Sequence, residues 1–167
     1  MEDVILFNVN HTVFAIAANA VDEIRNLDGL TIYSAGSFAQ SKLQKVKYTL
    51  VREKKDRDRC YFVVDASAHF HMPQSRGGRV LVFRNSLCAL LVDSIDRMTQ
   101  IATVFAMPKA FQGEECNWYR GLAVMEGCVV PVVNPDAVLS KGEVAVLQAG
   151  MKTGAVAHKP ARSAALA

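Results

Sequence analysis

Tyr119-Arg120-Gly121-Leu122-Ala123-Val124-Met125-Glu126-Gly127-Cys128-Val129-Val130-Pro131-Val132-Val133-Asn134 reads as a single β-hairpin. Two apolar, β-prone runs, 121–125 and 128–133, flank Glu126-Gly127, a pair suited to a tight turn. Directly after it, Asn134-Pro135-Asp136-Ala137-Val138-Leu139 carries an N-cap residue followed by proline at the first helical position. A strand pair closing into a short helical turn is therefore expected at this end of the chain.

The same grammar recurs upstream. Val4-Ile5-Leu6-Phe7-Asn8-Val9 and Thr12-Val13-Phe14-Ala15-Ile16-Ala17 are separated only by Asn10-His11, where Asn10 tolerates the positive φ of a hairpin turn. Residues 79–84 and 87–92 form another hairpin across Asn85-Ser86, and 93–102 is a further apolar–polar mixture. Residues 45–51 and 60–64 are strand candidates separated by a charged run, with a brief strand possible at 30–33. The first of these alternates, Val46, Tyr48 and Leu50 against Lys45, Lys47 and Thr49, as in a sheet with one wet side. Short helical turns are expected at 19–24, with Asn19 as N-cap, and at 65–70, stopped before Pro73. A loop spans 106–117.

About eight short strands punctuated by turns point to a small barrel or sandwich. No alternation of strands with long helices suggests a parallel α/β sheet. Leu6, Phe14, Ile16, Val63, Leu81, Leu91 and Val132 are the expected core. The clearest internal break is Gln74-Ser75-Arg76-Gly77-Gly78, and beyond Gln148 the composition turns to Ala, Gly, Lys and Pro, so a disordered tail is expected over 148–167.

The bulk numbers narrow the class. A chain of 167 residues, 51% hydrophobic and 21% charged, fits one globular domain or two very small subdomains. No run approaches the roughly 20 apolar residues of a membrane helix. Acidic residues at Glu2 and Asp3 argue against a secretory leader, so a cytoplasmic location is expected. Cys60, Cys88, Cys116 and Cys128 form no CxxC pair and should be reduced thiols. Cys60, Cys88 and Cys128 lie in apolar strand-like runs, where a thiol behaves as a small hydrophobe. The net charge of +3 does not by itself imply nucleic acid or a membrane.

The order of these pieces resembles the CheW-like domains of bacterial chemotaxis. The early hairpin running into Val21-Asp22-Glu23-Ile24 is similar to the family's opening, and Arg79-Val80-Leu81-Val82-Phe83 with Cys88-Ala89-Leu90-Leu91-Val92-Asp93-Ser94-Ile95 to a later strand pair. Met107-Pro108-Lys109-Ala110-Phe111 resembles its proline-containing loop, and the hairpin quoted at the outset, with Ala137-Val138-Leu139, its closing elements. The resemblance covers roughly residues 4–147. It implies an all-β fold with a few short helices: two small SH3-like five-stranded β-barrels sharing an apolar core. The first would span roughly 1–75 and the second 77–147, with strand exchange possible. It also implies a non-enzymatic adaptor that couples a CheA-type histidine kinase, through its regulatory domain, to the cytoplasmic tip of chemoreceptors. The chain departs from the family where an Asn-Leu-Arg-Gly-like turn is usual. Here Leu50-Val51-Arg52-Glu53-Lys54-Lys55 stands in its place, and Arg52 is the nearest candidate for the coupling role of that turn.

The residues themselves offer few parts for catalysis. There is no GxSxG elbow, HExxH pair or phosphate-binding glycine loop, and Gly77-Gly78 reads as a turn, so neither enzymatic activity nor a cofactor is expected. His69-x-His71 would share a face on a strand but not on a helix, and without fixed ligand spacing no metal is expected there. Residues 42–59 hold Lys42, Lys45, Lys47, Arg52, Lys54, Lys55, Arg57 and Arg59 against Glu53, Asp56 and Asp58. This hairpin reads as a solvated tip, as a protein-docking surface, or as a basic face for single-stranded nucleic acid. The interspersed acids weaken the last reading. Trp118, Tyr119 and Arg120 belong to the residue types enriched at interface anchors. The alternative is that the aromatics cap a barrel core while Arg120 covers it with its stem. Arg120, Gly121, Tyr119 and Arg52 are accordingly the candidate partner-binding residues.

Overall fold

The computed structural model describes residues 1–34, 43–52, 59–111 and 113–152. Among these, eleven strands run in chain order as β1 Glu2–Val9, β2 Thr12–Ala17, β3 Val21–Asn26, β4 Ile32–Ser34, β5 Val46–Arg52, β6 Arg59–Asp65, β7 Arg79–Phe83, β8 Cys88–Val92, β9 Ser94–Ile101, β10 Tyr119–Met125 and β11 Cys128–Val133. Two helices accompany them, α1 Ala66–His69 and α2 Lys141–Lys152. Two of the hairpins have positive φ at both turn residues, Asn10 and His11 (49° and 67°) and Glu126 and Gly127 (51° and 77°). Such turns carry the twist of the flanking strands, which fixes the β1/β2 and β10/β11 registers.

The strands form two sheets. The first has the order β10-β11-β2-β1-β9, and the second β3-β7-β8-β6-β5-β4. In the first, the chain leaving β9 returns to β10, where Phe105 and Leu122 exchange backbone hydrogen bonds of 2.7 and 2.8 Å, so the two edges meet. In the second, β6 and β8 run parallel, and a short sixth strand, β4, extends the edge beyond β5. The sheets do not divide the chain at 75–77. Residues 21–92 build the second, while 2–17 and 94–133 together build the first. The reason is pairing: β7 and β8 add to β3 and β6, whereas β1 takes β9 as its outer neighbour.

Burial explains why several strands are apolar on both faces. Ile5, Phe7 and Val9 of β1 face a central cluster shared with Phe62, Val64, Leu81, Phe83, Leu90 and Val92 of the other sheet. The alternate residues Val4 and Leu6 face Ala123, Val130 and Val132 inside the first sheet. Likewise Tyr61, Val63, Val80, Val82, Ala89 and Leu91 fill the second. Three apolar layers thus lie one behind another, and the seven residues expected in the core are all buried.

Several expectations are corrected. Residues 21–24 are strand, not a helical turn; only Ala18–Ala20 is helical, as a 3-10 turn, because pairing with β7 outweighs local capping by Asn19. On β5 the wet side is lost. A register shift between Val46 and Tyr48 breaks the alternation, and Thr49 is buried beside Leu50. Cys128 is exposed because it starts β11 at the turn, whereas Cys88 is buried and Cys60 half-buried; all four are free thiols. Residues 148–152, expected in the tail, belong to α2, whose Leu147 reaches the central cluster. The rest of that expected tail, 153–167, lies outside the described residues. The turn at 65–70 forms as read: Asp65 caps α1 by accepting from the Ser67 backbone N at 3.0 Å and from its hydroxyl at 2.7 Å.

Candidate functional site

Alternation along the closing hairpin sends Gly121 and Ala123 inward and Arg120, Leu122 and Val124 outward. On β11, Val130 and Val132 are inside while Val129 and Pro131 are outside. Val124 and Val129 are directly paired and remain 59% and 62% exposed, so this outer face is apolar and unburied. It continues into a groove of about 470 Å³ lined by Met107, Phe111, Leu122, Pro131, Tyr119 and Phe70. Phe111, on the 102–113 loop, is 54% exposed. Large apolar side chains gathered at one surface, rather than scattered singly, mark interaction sites.

The groove has an aromatic floor. Phe14, Phe70 and Tyr119 pack around one another, with centroid separations of 4.7, 5.7 and 6.4 Å, and Phe7 adds to Phe14 at 5.7 Å. Tyr119 is therefore half-buried, and burial, with Glu115 adding, pushes its phenol above the ordinary value. Arg120 lies outside and donates to both oxygens of Glu2 at 2.8 and 3.0 Å, which joins the start of β10 to the start of β1. This bond holds the Glu2 carboxyl below the usual range and the guanidinium above it. Gly121 has a packing duty: a Cβ there would lie 2.1 Å from the Phe105 carbonyl oxygen. Arg52 sits on the other sheet, paired with Asp22 and, at 2.9 Å, with Glu23, so charge joins β5 to β3. Tyr119, Arg120 and Gly121 thus share one region, and Arg52 another. Leu122, Val124, Val129, Pro131 and Phe111 join this candidate surface although none is among the expected partner-binding residues. Their signal was in the sequence: Leu122 and Val124 continue an outward alternation that begins at Arg120.

His69 and His71 meet the same indole, with centroids 5.2 and 5.1 Å from that of Trp118. They share a neighbour although α1 is a helix, because His71 lies past its end with φ +52°, a left-handed cap that turns the chain back. Lys45 Nζ donates to the Val138 carbonyl at 2.7 Å and stands 3.3 Å from His69 Nδ1. Burial, then Lys45 and His71, lower the imidazole to about 3, so it is neutral. Lys45 therefore donates and Nδ1 accepts. A nitrogen already facing an ammonium is a poor metal ligand, and among the described residues no three His, Cys, Asp or Glu side chains form a metal-sized group.

Of the basic run at 42–59, Lys45 is turned inward and Arg52 is ion-paired. Lys42, Lys54, Lys55 and Arg57 lie outside the described residues. No helix among those described is long and apolar enough to cross a membrane.

The fold defines the class: two small SH3-like β-barrels on a shared apolar core, the CheW-like arrangement. The solved structure of the scaffolding protein TtCheW from Thermoanaerobacter tengcongensis is similar to this chain, with a TM-score of 0.66 over 85% of this chain and 94% of that one, at 11% identity. No protein-family model and no curated protein sequence matches the chain. The likeness is one of fold.

Proposed function

We propose that this protein is a non-enzymatic signalling adaptor that couples a CheA-type histidine kinase to chemoreceptors or to a related sensory input. The observation that carries this reading is a CheW-like fold with an uncovered apolar face on its closing hairpin. Such a face binds without chemistry: Val124, Val129 and Phe111 supply area removed from water, and Arg120 supplies a polar rim. Arg52, on the second sheet, serves as the contact for the other partner, since an adaptor needs two surfaces.

The test is capture of purified kinase regulatory domain and of receptor cytoplasmic fragment by immobilised protein at near-physiological salt. Val124→Asp with Val129→Lys, both exposed and directly paired so that the two charges are opposite in sign, should abolish capture of one partner. Arg120→Ala should weaken that partner by about tenfold, and Arg52→Ala should weaken the other. Failure to capture either partner would overturn the adaptor reading. Capture unaffected by the hairpin variants would overturn the face assigned to it. Binding to single-stranded oligonucleotides that collapses with salt would instead favour the basic run.

A further inference from the structure

The outer face of the closing hairpin carries two apolar rows. Phe105, Leu122 and Pro131 lie side by side in one, and Val124 and Val129 in the other. Phe105 is 54% exposed and stands beside the groove rather than in its lining. We propose that this face pairs with the same face of a second copy of the chain about a two-fold axis, making the free protein a weak, reversible dimer. The inference rests on the docking role given to this face: a kinase or receptor that takes it must first separate two copies.

Shape fits a second copy. A two-fold interface sets one patch against itself, so each copy must offer both a projection and a recess that receives it. The Phe105 ring supplies the first, and the neighbouring groove of about 470 Å³ supplies the second, with room for a phenyl ring. The rows belong to a regular antiparallel hairpin, the form in which two sheets stack about 10 Å apart with their side chains interdigitated.

Charge fits the same partner. No row residue is charged, and the nearby ions are matched in sign. Arg120 is bonded to Glu2, and Arg97 to Glu126, each at 2.8 Å. Glu115 lines the groove, and Lys109 lies on the loop that carries Phe111; the two are opposite in sign, and neither forms a salt bridge among the described residues. Glu114 lines a separate cavity, beside Lys45, His69 and Trp118. A partner selected by net charge would find no surplus to read here, whereas a second copy brings a cation for each anion.

Area sets the strength. Val124, Val129, Phe105 and Phe111 together leave on the order of 400 Å² of apolar side chain in water, the size of a functional patch on a monomer. Even with the groove walls this is less than the ~800 Å² per partner of a standard stable interface, so two copies separate readily.

The experiment is sedimentation velocity of the full chain from about 1 to about 300 µM, with no kinase or receptor present. The mass should rise from that of one chain toward that of two and level there, and it should change little in high salt because the contact is apolar. Val129→Lys sets a charge into the desolvated face and should weaken association about tenfold or more. Phe105→Ala, which removes the projection, should also weaken it and serves if Val129→Lys does not fold. Val146→Lys, at a residue 62% exposed on α2, is the control and should associate as the wild type does. A one-chain mass at every concentration would overturn the proposal, as would growth past two chains without a plateau. Wild-type association of folded Val129→Lys, or an equal loss in Val146→Lys, would do the same. The two readings fail separately: a monomer that captures a partner sinks the dimer alone, and a dimer that captures neither sinks the adaptor alone.

Discussion

Acidification should destabilise this fold through one imidazole. His69 is 3% exposed, and around it stand Lys45, His71, Glu143 and Glu114, of which Lys45 is the nearest charge, at 3.3 Å. Its folded-state value of about 3 lies below the ordinary 6.5. As pH falls through 6.5 the unfolded chain takes up a proton that the folded chain refuses. This contribution is therefore fully present above about pH 6.5 and is lost progressively down to about 3. At about pH 5 the unfolded imidazole is favoured by about 1.5 pH units of protonation, which is about 2 kcal/mol. For a domain of this size that lowers Tm by about 4–8 °C. The assay is thermal unfolding by circular dichroism from about pH 7 to 5, beside His69→Asn, whose amide oxygen replaces Nδ1 as the acceptor for Lys45. The variant should lose clearly less stability over this interval, because its side chain does not titrate. Equal losses in the two proteins would refute the claim that His69 is held neutral by burial.

Other substitutions separate structure from docking. Gly121→Ala should destabilise by about 2–4 kcal/mol in urea unfolding, since its methyl would meet the Phe105 backbone, which cannot move without breaking the Phe105–Leu122 bonds. Phe70→Ala removes the ring that packs on both Phe14 and Tyr119 and should cost about 3–5 kcal/mol by the same measurement. Arg120→Ala should cost only about 0.5–1 kcal/mol, less in high salt, because its pair with Glu2 is about one-third exposed. A larger loss would mean that this ion pair, rather than the backbone, holds β10 in place. Asp65→Ala should cost about 1 kcal/mol through the lost α1 cap, read as a lower midpoint with unchanged slope.

The sequence by itself determined the elements whose signal is local. Asn10-His11 and Glu126-Gly127 turn because Asn10, His11 and Gly127 accept positive φ, Glu126 being carried into it by the hairpin, and the flanking β-branched runs pair across them. Asp65 and Asn134 cap short turns through their own side chains. The outward alternation of Arg120, Leu122 and Val124 was also legible there, although only Arg120 was singled out. Ser140-Lys141-Gly142-Glu143 is a capping box, with Ser140 and Glu143 exchanging bonds of 2.9 and 3.1 Å. That local signal starts α2, although the small residues that follow give the helix only a weak apolar face.

Tertiary structure alone decided what depends on partners far along the chain. Asp22 and Glu23 look like a helix start, yet β7 recruits them into a strand and Arg52 then neutralises them. No local pattern shows that β9 joins β1 while β8 joins β6, because register across a gap of many residues is set by which apolar faces meet. The same holds for the cavity around Lys45, His69 and Trp118. Its walls come from segments some seventy residues apart, and Lys45 reads as one more solvated cation in a basic run until the fold turns it inward.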